Sequence, residues 1–308
     1  MKILLVGLGQ LGSRYLQGFL AIKERSHIDI IEPNNDAYAN GVFVSGVTNS
    51  QNITHRRVGI ESCDRTYDLV VIATSSAPRV KLVDAVRARV SSRAWILEKM
   101  LAQSLSDLEQ ISMLLDGEQV WVNTPRRISS LYVALRSLIK GERLMFTVRW
   151  PRLGLGCNAI HFIDAVEYLS GESIERVEIN ASSGWYESKR AGYLDFDGAM
   201  VATYSNGSKL QILTDFSGTT NIICETNETS IVVDEVRGEL KLRDRNVAGR
   251  VELQSEMSGH LAERAIKVGN NDFLPTLETS VTQHKVFFAG LSKNATLNII
   301  EDEIWPIT

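Results

Sequence analysis

The sequence predicts an α/β protein in two parts: an N-terminal doubly wound parallel sheet over residues 1–122, and a C-terminal α+β domain over residues 123–308 built on a largely antiparallel sheet. Three observations predict it. Up to about residue 122, short β-branched runs alternate with helical stretches, which implies right-handed crossovers and parallel strands. From about residue 123, amphipathic helices give way to consecutive hairpin signals without intervening helices, the mark of an antiparallel sheet. The chain has 308 residues, too many for one ordinary domain and comfortable for two.

In the first part, "KILLVG", "HIDIIEP", "YDLVVIAT", "RAWILEK" and "QVWVN" read as strands. After the fourth of these, Ser106 and Glu109 have capping-box spacing, and Leu108, Ile111, Leu114 and Leu115 recur at helical intervals. In the second part, "SSLYVALRSLIKG" and "NAIHFIDAVEYLSG" are amphipathic helices, the latter closed by Gly171. Asn206-Gly207 then sits between two alternating runs as a hairpin turn, and "TNIICETNETSIVVDEVRGELKLRD" continues the meander. A last helix is expected over about 276–292. The domain boundary rests on the change of pattern, because no proline-rich linker, repeat or low-complexity segment marks it.

Composition narrows the function. Hydrophobic residues make up 44% of the chain and charged residues 23%, as in soluble globular proteins. A formal charge of -4 gives no electrostatic footprint for nucleic acid or an anionic membrane, so neither is expected as a partner and a small molecule is. The opening "MKILLVGLGQLG" is interrupted by glycines and a glutamine long before it reaches membrane-spanning length, and reads as a strand rather than a signal peptide. Cys63, Cys157 and Cys224 are odd in number and lack metal-ligand spacing; a reducing, cytoplasmic setting and no metal are expected.

The first strand runs directly into Gly7-Leu8-Gly9-Gln10-Leu11-Gly12 and an amphipathic helix. In that context GxGxxG is informative: the first glycine permits a tight turn, the second lets backbone N–H groups approach a pyrophosphate, and the third lets helix pack closely on strand. The second strand ends in Glu32, where a Rossmann dinucleotide-binding domain keeps a carboxylate for the adenosine ribose. "PNND" follows, without a nearby Arg or Lys for a 2′-phosphate, so NAD(H) is favoured and NADP(H) stays open. Ala73, Thr74 and Ser75 end the strand expected across the switch point and should border the cofactor; Ser76 before Pro78 also suits a helix N-cap.

"RAWILEK" ends in Glu98 and Lys99 at the carboxyl edge of the sheet, where ligands of such folds sit. There Lys99 could hydrogen bond a substrate hydroxyl and stabilise alkoxide charge, while Glu98 could pair with it or with the nicotinamide ribose. Away from that edge the same dipeptide would be a surface charge pair. In the second part, His161, Asp164 and Tyr168 form one stripe of a helix, with His161 able to take a substrate proton and Asp164 to bias it or bind substrate. The alternative is a helix capped by Asn158 with His161 structural.

Together these stretches resemble the Gfo/Idh/MocA oxidoreductases, the glucose-fructose oxidoreductase, inositol dehydrogenase and MocA family. "GLGQLG" stands in the family's nucleotide-binding turn, "EKMLAQSLSDLEQI" looks like its Glu-Lys-Pro motif, "NTPRRISSLYVALRSLI" like its arginine-bearing entry to the second domain, and "IHFIDAVEYLSG" like its histidine helix. The resemblance implies that Lys99 meets nicotinamide and substrate and that His161 is the acid/base; Arg126, Asn158 and Tyr168 are expected on the substrate side. Two positions depart from the pattern: Met100 stands in place of the proline, and Cys157 where the family often has an aspartate four residues before the histidine.

The expected function is NAD(H)-dependent hydride transfer to or from a secondary alcohol or ketone of a sugar-like substrate. "GWYESKRAGYLDF", placed on the open face of the second sheet, offers Trp185, Lys189 and Arg190 to a nucleotide sugar or surface-polysaccharide precursor, or is a charged surface loop. That open face also implies a homodimer or homotetramer. Two other functions fit the same sequence: a non-catalytic dinucleotide-binding sensor or regulator, and a reductase of C=C or C=N bonds.

Overall fold

A computed structural model describes residues 1–139, 141–182, 184–242, 245–246, 259–266, 273–294, 296–297 and 304–308. The chain divides into two units. The first is Met1–Ala102, Ser106–Asn123 and, as far as it is described, Ser255–Glu278; the second is Gln103–Leu105, Thr124–Gln254 and Thr279–Thr308.

The first unit contains β1 (Lys2–Val6), α1 (Gln10–Phe19), β2 (Ser26–Ile31), α2 (Asn35–Ser45), β3 (Ile53–Arg57), β4 (Thr66–Ile72), α3 (Arg79–Arg87), β5 (Ser91–Glu98), α4 (Leu105–Leu114) and β6 (Val120–Asn123). All six strands are parallel, in the order β3-β2-β1-β4-β5-β6, so the direction of winding reverses between β1 and β4. Sequence explains the centre of this sheet. Ile3 to Leu5, Leu69 to Ile72 and Ala94 to Leu97 are 0% exposed, as continuous apolar runs covered on both faces must be. Edge strand β3, "ITHRR", carries almost no apolar signal and went unread in the sequence, as did α2.

The second unit holds α5 (Ser130–Ile139), β7 (Met145–Arg149), α6 (Leu155–Ser170), β8 (Ile174–Ala181), β9 (Tyr186–Glu187), β10 (Leu194–Asp195), β11 (Gly198–Tyr204), β12 (Lys209–Leu213), β13 (Asn221–Glu225), β14 (Ser230–Asp234), β15 (Glu239–Leu242) and β16 (Arg245–Asn246). Eight of these strands make one sheet, ordered β16-β15-β14-β13-β7-β12-β11-β8, antiparallel except where β7 pairs β12. The Asn206-Gly207 turn joins β11 to β12 as expected: Gly207 has φ +80°, and the Ser208 N–H bonds Asn206 Oδ1 at 2.8 Å. Inward residues of β11 alternate with half-buried ones, and Tyr204 reaches α6, its hydroxyl donating to Ile163 O at 2.8 Å.

Three expectations of element placement change. The second domain is not the continuous stretch 123–308: α7 (Gly259–Ala265) and the residues before α8 (Leu277–Ser292) belong to the first unit. There Trp121 Nε1 donates to Ala265 O at 3.0 Å, and Trp121 meets Phe273 edge-on at 5.2 Å. Helix starts also shift. Ser106 lies inside the first turn of α4, and α3 begins at Arg79 with Pro78 at its N-cap position. Finally, β9 and β10 form their own two-stranded sheet, so "GWYESKRAGYLDF" is not part of the large sheet.

Candidate functional site

At the switch point of the first unit, Gly7 turns the chain out of β1 with φ +92°, a value that favours glycine. Its N–H bonds Ile31 O, and Ala73 N–H bonds Val6 O, both at 2.8 Å, so the carboxyl ends of β1, β2 and β4 are held level. At Gly12 a Cβ would overlap the Gly7 carbonyl oxygen, whereas at Gly9 it would meet nothing within 4 Å. Helix and strand thus need Gly12 bare, and the surface beside Gly9 stays open. Gly9 is the N-cap of α1; among the described residues no side chain caps the helix, and its first turn has no acidic residue, which leaves its positive end to an anion. Gln10 and Leu11 are its first two residues, and Leu8 is 1% exposed.

Glu32 follows β2. Its Oε2 accepts the Leu8 N–H and its Oε1 the Asn34 N–H, each at 2.9 Å, so the carboxylate is aligned against the glycine turn. The expectation that no arginine lies near it is overturned. Arg57, the last residue of β3, donates from Nε to Glu32 O and from Nη2 to Pro33 O, both at 2.7 Å, and from Nη1 to Asn35 Oδ1 at 2.5 Å. The parallel pairing of β2 with β3 brings it there across 25 residues of sequence.

At the end of β5, Glu98 does not face outward as a ribose partner should. It is 3% exposed and its Oε1 accepts the Tyr15 hydroxyl at 2.6 Å and Asn123 Nδ2 at 2.7 Å. Burial raises its pKa above the usual carboxylate value, while those two donors and the charges of Arg79 and Lys99 pull the other way. Lys99 is half-buried between Glu98 and the fully buried Met100, and the Lys99–Met100 peptide is cis. Arg79, 0% exposed, donates through Nη1 to Met100 O and through Nη2 to Thr74 O, tying the loop after β5 to the loop after β4. Thr74 Oγ1 and Asn123 Oδ1, both at the carboxyl edge, are buried without a hydrogen-bond partner. Ala73 is 9% exposed and Ser75 half-buried beside them. Sequence reasoning passed over Tyr15, Asn123 and Arg79 because what they bind lies elsewhere along the chain: Glu98 for Tyr15 and Asn123, and the Met100 carbonyl for Arg79.

In the second unit, α6 carries the histidine stripe, and its members part company. His161 is half-buried. Asp164 is 0% exposed and accepts Thr124 Oγ1 at 2.7 Å, Arg127 Nε at 2.9 Å, Arg127 Nη2, and Gln283 Nε2 at 3.1 Å. Such a carboxylate anchors α6 to the segment before α5 and to α8, rather than facing a cleft. Tyr168 lies under two guanidiniums, those of Arg136 at 4.4 Å and Arg127 at 5.7 Å. Glu167, unremarked in the sequence, has its pKa raised to about 7, first by burial and then by the Asp164 charge. Arg126 forms a two-point pair with Glu235 at 2.7 and 3.0 Å, and lies 3.9 Å above the Phe162 ring.

The start of α6 is built by a residue outside it. Asp195 Oδ1 accepts the Gly156 N–H at 2.8 Å and the Cys157 N–H at 3.4 Å, and a Cβ on Gly154 would overlap that carboxylate. Asn158 is therefore not the cap; it lies within the first turn, its amide donating to Leu153 O at 2.6 Å. Trp185 packs edge-on against Phe196 at 5.4 Å, while Lys189 and Arg190 are exposed, with Arg190 Nη1 3.5 Å from Thr308 Oγ1. Among the described residues no group of three His, Cys, Asp or Glu side chains is placed to hold a metal ion, and no helix is long and apolar enough to cross a membrane.

No protein-family model and no curated protein matches the chain in sequence. Solved structures do match in fold. An oxidoreductase from Agrobacterium radiobacter in complex with NAD+, L-tartaric acid and magnesium is 14% identical, with 95% of this chain and 96% of that one covered and a TM-score of 0.70. UDP-N-acetylglucosamine 3-dehydrogenase GnnA from Acidithiobacillus ferrooxidans is 14% identical over 96% and 97% of the chains, with a TM-score of 0.68. A super-repressor mutant of Gal80p from Saccharomyces cerevisiae is 14% identical over 96% of each, with a TM-score of 0.73. Over nearly its whole length, this chain shares the fold of these solved structures, which include two oxidoreductases and a repressor.

Proposed function

We propose that the chain is an NAD(H)-dependent oxidoreductase acting on a secondary alcohol or ketone of a sugar-like substrate. The observation that carries the reading is the glycine turn: open at Gly9, closed at Gly12, backed by an uncapped helix N-terminus, and aligned with the Glu32 carboxylate. A dinucleotide fits these residues. The pyrophosphate would take the α1 N–H groups, the adenosine ribose Glu32, and the orphaned Thr74 Oγ1 offers a further polar contact. Nicotinamide, when bound, supplies the hydride donor or acceptor.

The protein's own part is orientation and proton handling. Lys99 is assigned the substrate oxygen, whose developing negative charge its ammonium stabilises. Arg79 binds the carbonyl of Met100, the residue after that lysine, and ties it to the carbonyl of Thr74 in the loop after β4, so the ammonium starts from a held backbone. His161 is assigned the proton of the substrate hydroxyl, with Asp164 as the anchor that fixes its helix rather than as a second base. Asn158 and Tyr168 on the same helix, with Arg126, remain the proposed substrate side. The NAD+ complex and the nucleotide-sugar dehydrogenase among the neighbours support the cofactor and a nucleotide sugar as the substrate class.

The likeness to Gal80p supports a second reading, a dinucleotide-binding regulator without turnover. Titration calorimetry with NAD(H), followed by absorbance at the nicotinamide band with a panel of UDP-sugars, inositols and aldonates, separates them. Binding with turnover supports the enzyme, and binding without turnover on any member supports the regulator. Absence of dinucleotide binding defeats both.

A further inference from the structure

Arg57 is the feature of the first unit that the NAD(H) reading does not use. A guanidinium presents five N–H donors in a rigid plane. Three of Arg57's are spent on Glu32 O, Pro33 O and Asn35 Oδ1, and its plane lies 5.2 Å from the Tyr38 ring centroid. The side chain is exposed, yet it is held at four points, all on the segment that follows the ribose carboxylate. Two donors and a full positive charge remain on that segment. We infer that Arg57 is a 2′-phosphate contact, which lets the site accept NADP(H) as well as NAD(H); the inference rests on the dinucleotide reading above.

The local charges set how strong the effect is. Glu32 and Asp36 are the carboxylates of this segment, and both oppose a phosphate. The Glu32 oxygens already accept the Leu8 and Asn34 N–H groups, which partly balance their charge. His55, on the same strand and 3.4 Å from the Tyr38 hydroxyl, has its pKa lowered by burial first and by His27 second, so it adds no cation near neutral pH. Arg57 is then the cation that decides between a repelled and a tolerated phosphate. A pre-placed fork needs little ordering on binding, and charge-assisted hydrogen bonds to phosphate are among the stronger ones. NAD(H) should bind more tightly than NADP(H), with both measurable.

The test is calorimetric titration of NADH and NADPH into the wild-type chain and into Arg57→Gln, Arg57→Lys and Arg93→Gln variants, each checked for a native circular-dichroism spectrum. The NADPH-to-NADH affinity ratio should fall about tenfold or more in Arg57→Gln, since a phosphate contact of this kind is worth about that much. Arg57→Lys should recover part of it, and Arg93→Gln, which removes an exposed guanidinium at the opposite end of the sheet, should leave it unchanged. An unchanged ratio in Arg57→Gln would make Arg57 a brace for the loop and overturn the inference, as would a wild-type chain that binds NADH but not NADPH. Should Arg57→Gln fail to fold, Arg57→Lys carries the test: it keeps the charge and loses the planar fork, so its NADPH-to-NADH affinity ratio should fall below that of the wild-type chain, and an unchanged ratio would overturn the inference. Binding of neither dinucleotide overturns the dinucleotide reading itself.

Discussion

The Tyr15 hydroxyl donates to Glu98 Oε1 at 2.6 Å, joining the first helix to the end of the fifth strand across 83 residues of sequence. Both groups are fully buried, and burial pushes the tyrosine pKa well up, with the Glu98 charge adding to it. Tyr15→Phe keeps the ring packing and removes the donor, leaving that oxygen to Asn123 alone. Stability in urea should fall by about 1.5–3 kcal/mol, the usual worth of a hydrogen bond to a charged group. A loss below the error of the unfolding curves would mean the Glu98 carboxylate does not depend on this bond.

Gly9 and Gly12 should fail in opposite ways when replaced by alanine. Gly9→Ala meets no atom within 4 Å, so the chain should keep its melting temperature and lose dinucleotide affinity. In Gly12→Ala the new methyl would press on the Gly7 carbonyl oxygen, so the chain should be destabilised even without ligand. Thermal melts with and without NADH measure both effects, and a stable Gly9→Ala that still binds NADH would remove the phosphates from this turn.

Glu167 gives the second unit a pH dependence of unusual sign. Its pKa is about 7 in the folded chain against an ordinary 4.5. Between those values the folded state holds more protons than the unfolded one, so stability falls as pH rises through that window. The full effect is at most about 3 kcal/mol. Glu167→Gln should flatten this slope and be the more stable protein at pH 8. Parallel pH profiles of the urea midpoint for both proteins test it.

Lys99→Met should depress turnover by about 100-fold or more, the effect usual for removing a charge-stabilising donor. Dinucleotide affinity should change little, because the ammonium is assigned to the substrate oxygen. Single-turnover rates and NADH titrations on the same preparation are the measurements, and an undiminished rate would return Lys99 to a surface charge.

His161→Asn should fold and bind dinucleotide while turnover drops by roughly 100- to 10,000-fold, the range for positioned proton transfer. Alcohol oxidation by the wild-type chain should quicken with pH through one ionisation, and that limb should vanish in the variant. A less stable variant with the limb intact would hand the proton to Lys99 and leave His161 as packing.

The parts of this fold that could be read from sequence are those with a local signature. Apolar runs marked β1, β4 and β5, glycine spacing marked the turn after β1, and Asn206-Gly207 marked the β11–β12 hairpin. Strand β3 was illegible because "ITHRR" is an edge strand with one buried residue, and the arginine that flanks Glu32 was missed with it. Partners of buried charges were equally hidden. Nothing near "EKM" in sequence announces Tyr15 or Asn123, and nothing near "FID" announces Gln283, 119 residues away. The helix stripe His161, Asp164 and Tyr168 was read by spacing alone, and spacing does not say which member points inward.

The sixth strand of the parallel sheet has its outer edge covered late. Val122 N–H bonds Pro275 O at 3.0 Å and Trp121 bridges Thr276 antiparallel, so residues made after some 150 others close the margin of a sheet whose strands end at Asn123. During synthesis, therefore, the first unit waits with "VWVN" as an open apolar strand until the chain beyond it has emerged. The same open margin makes a chain cut near residue 122 prone to self-association, although a split at that point would look natural from the sequence. Supplied with the stretch that leads to residue 278, the first unit brings its own cover, and the edge is no longer a template for other chains.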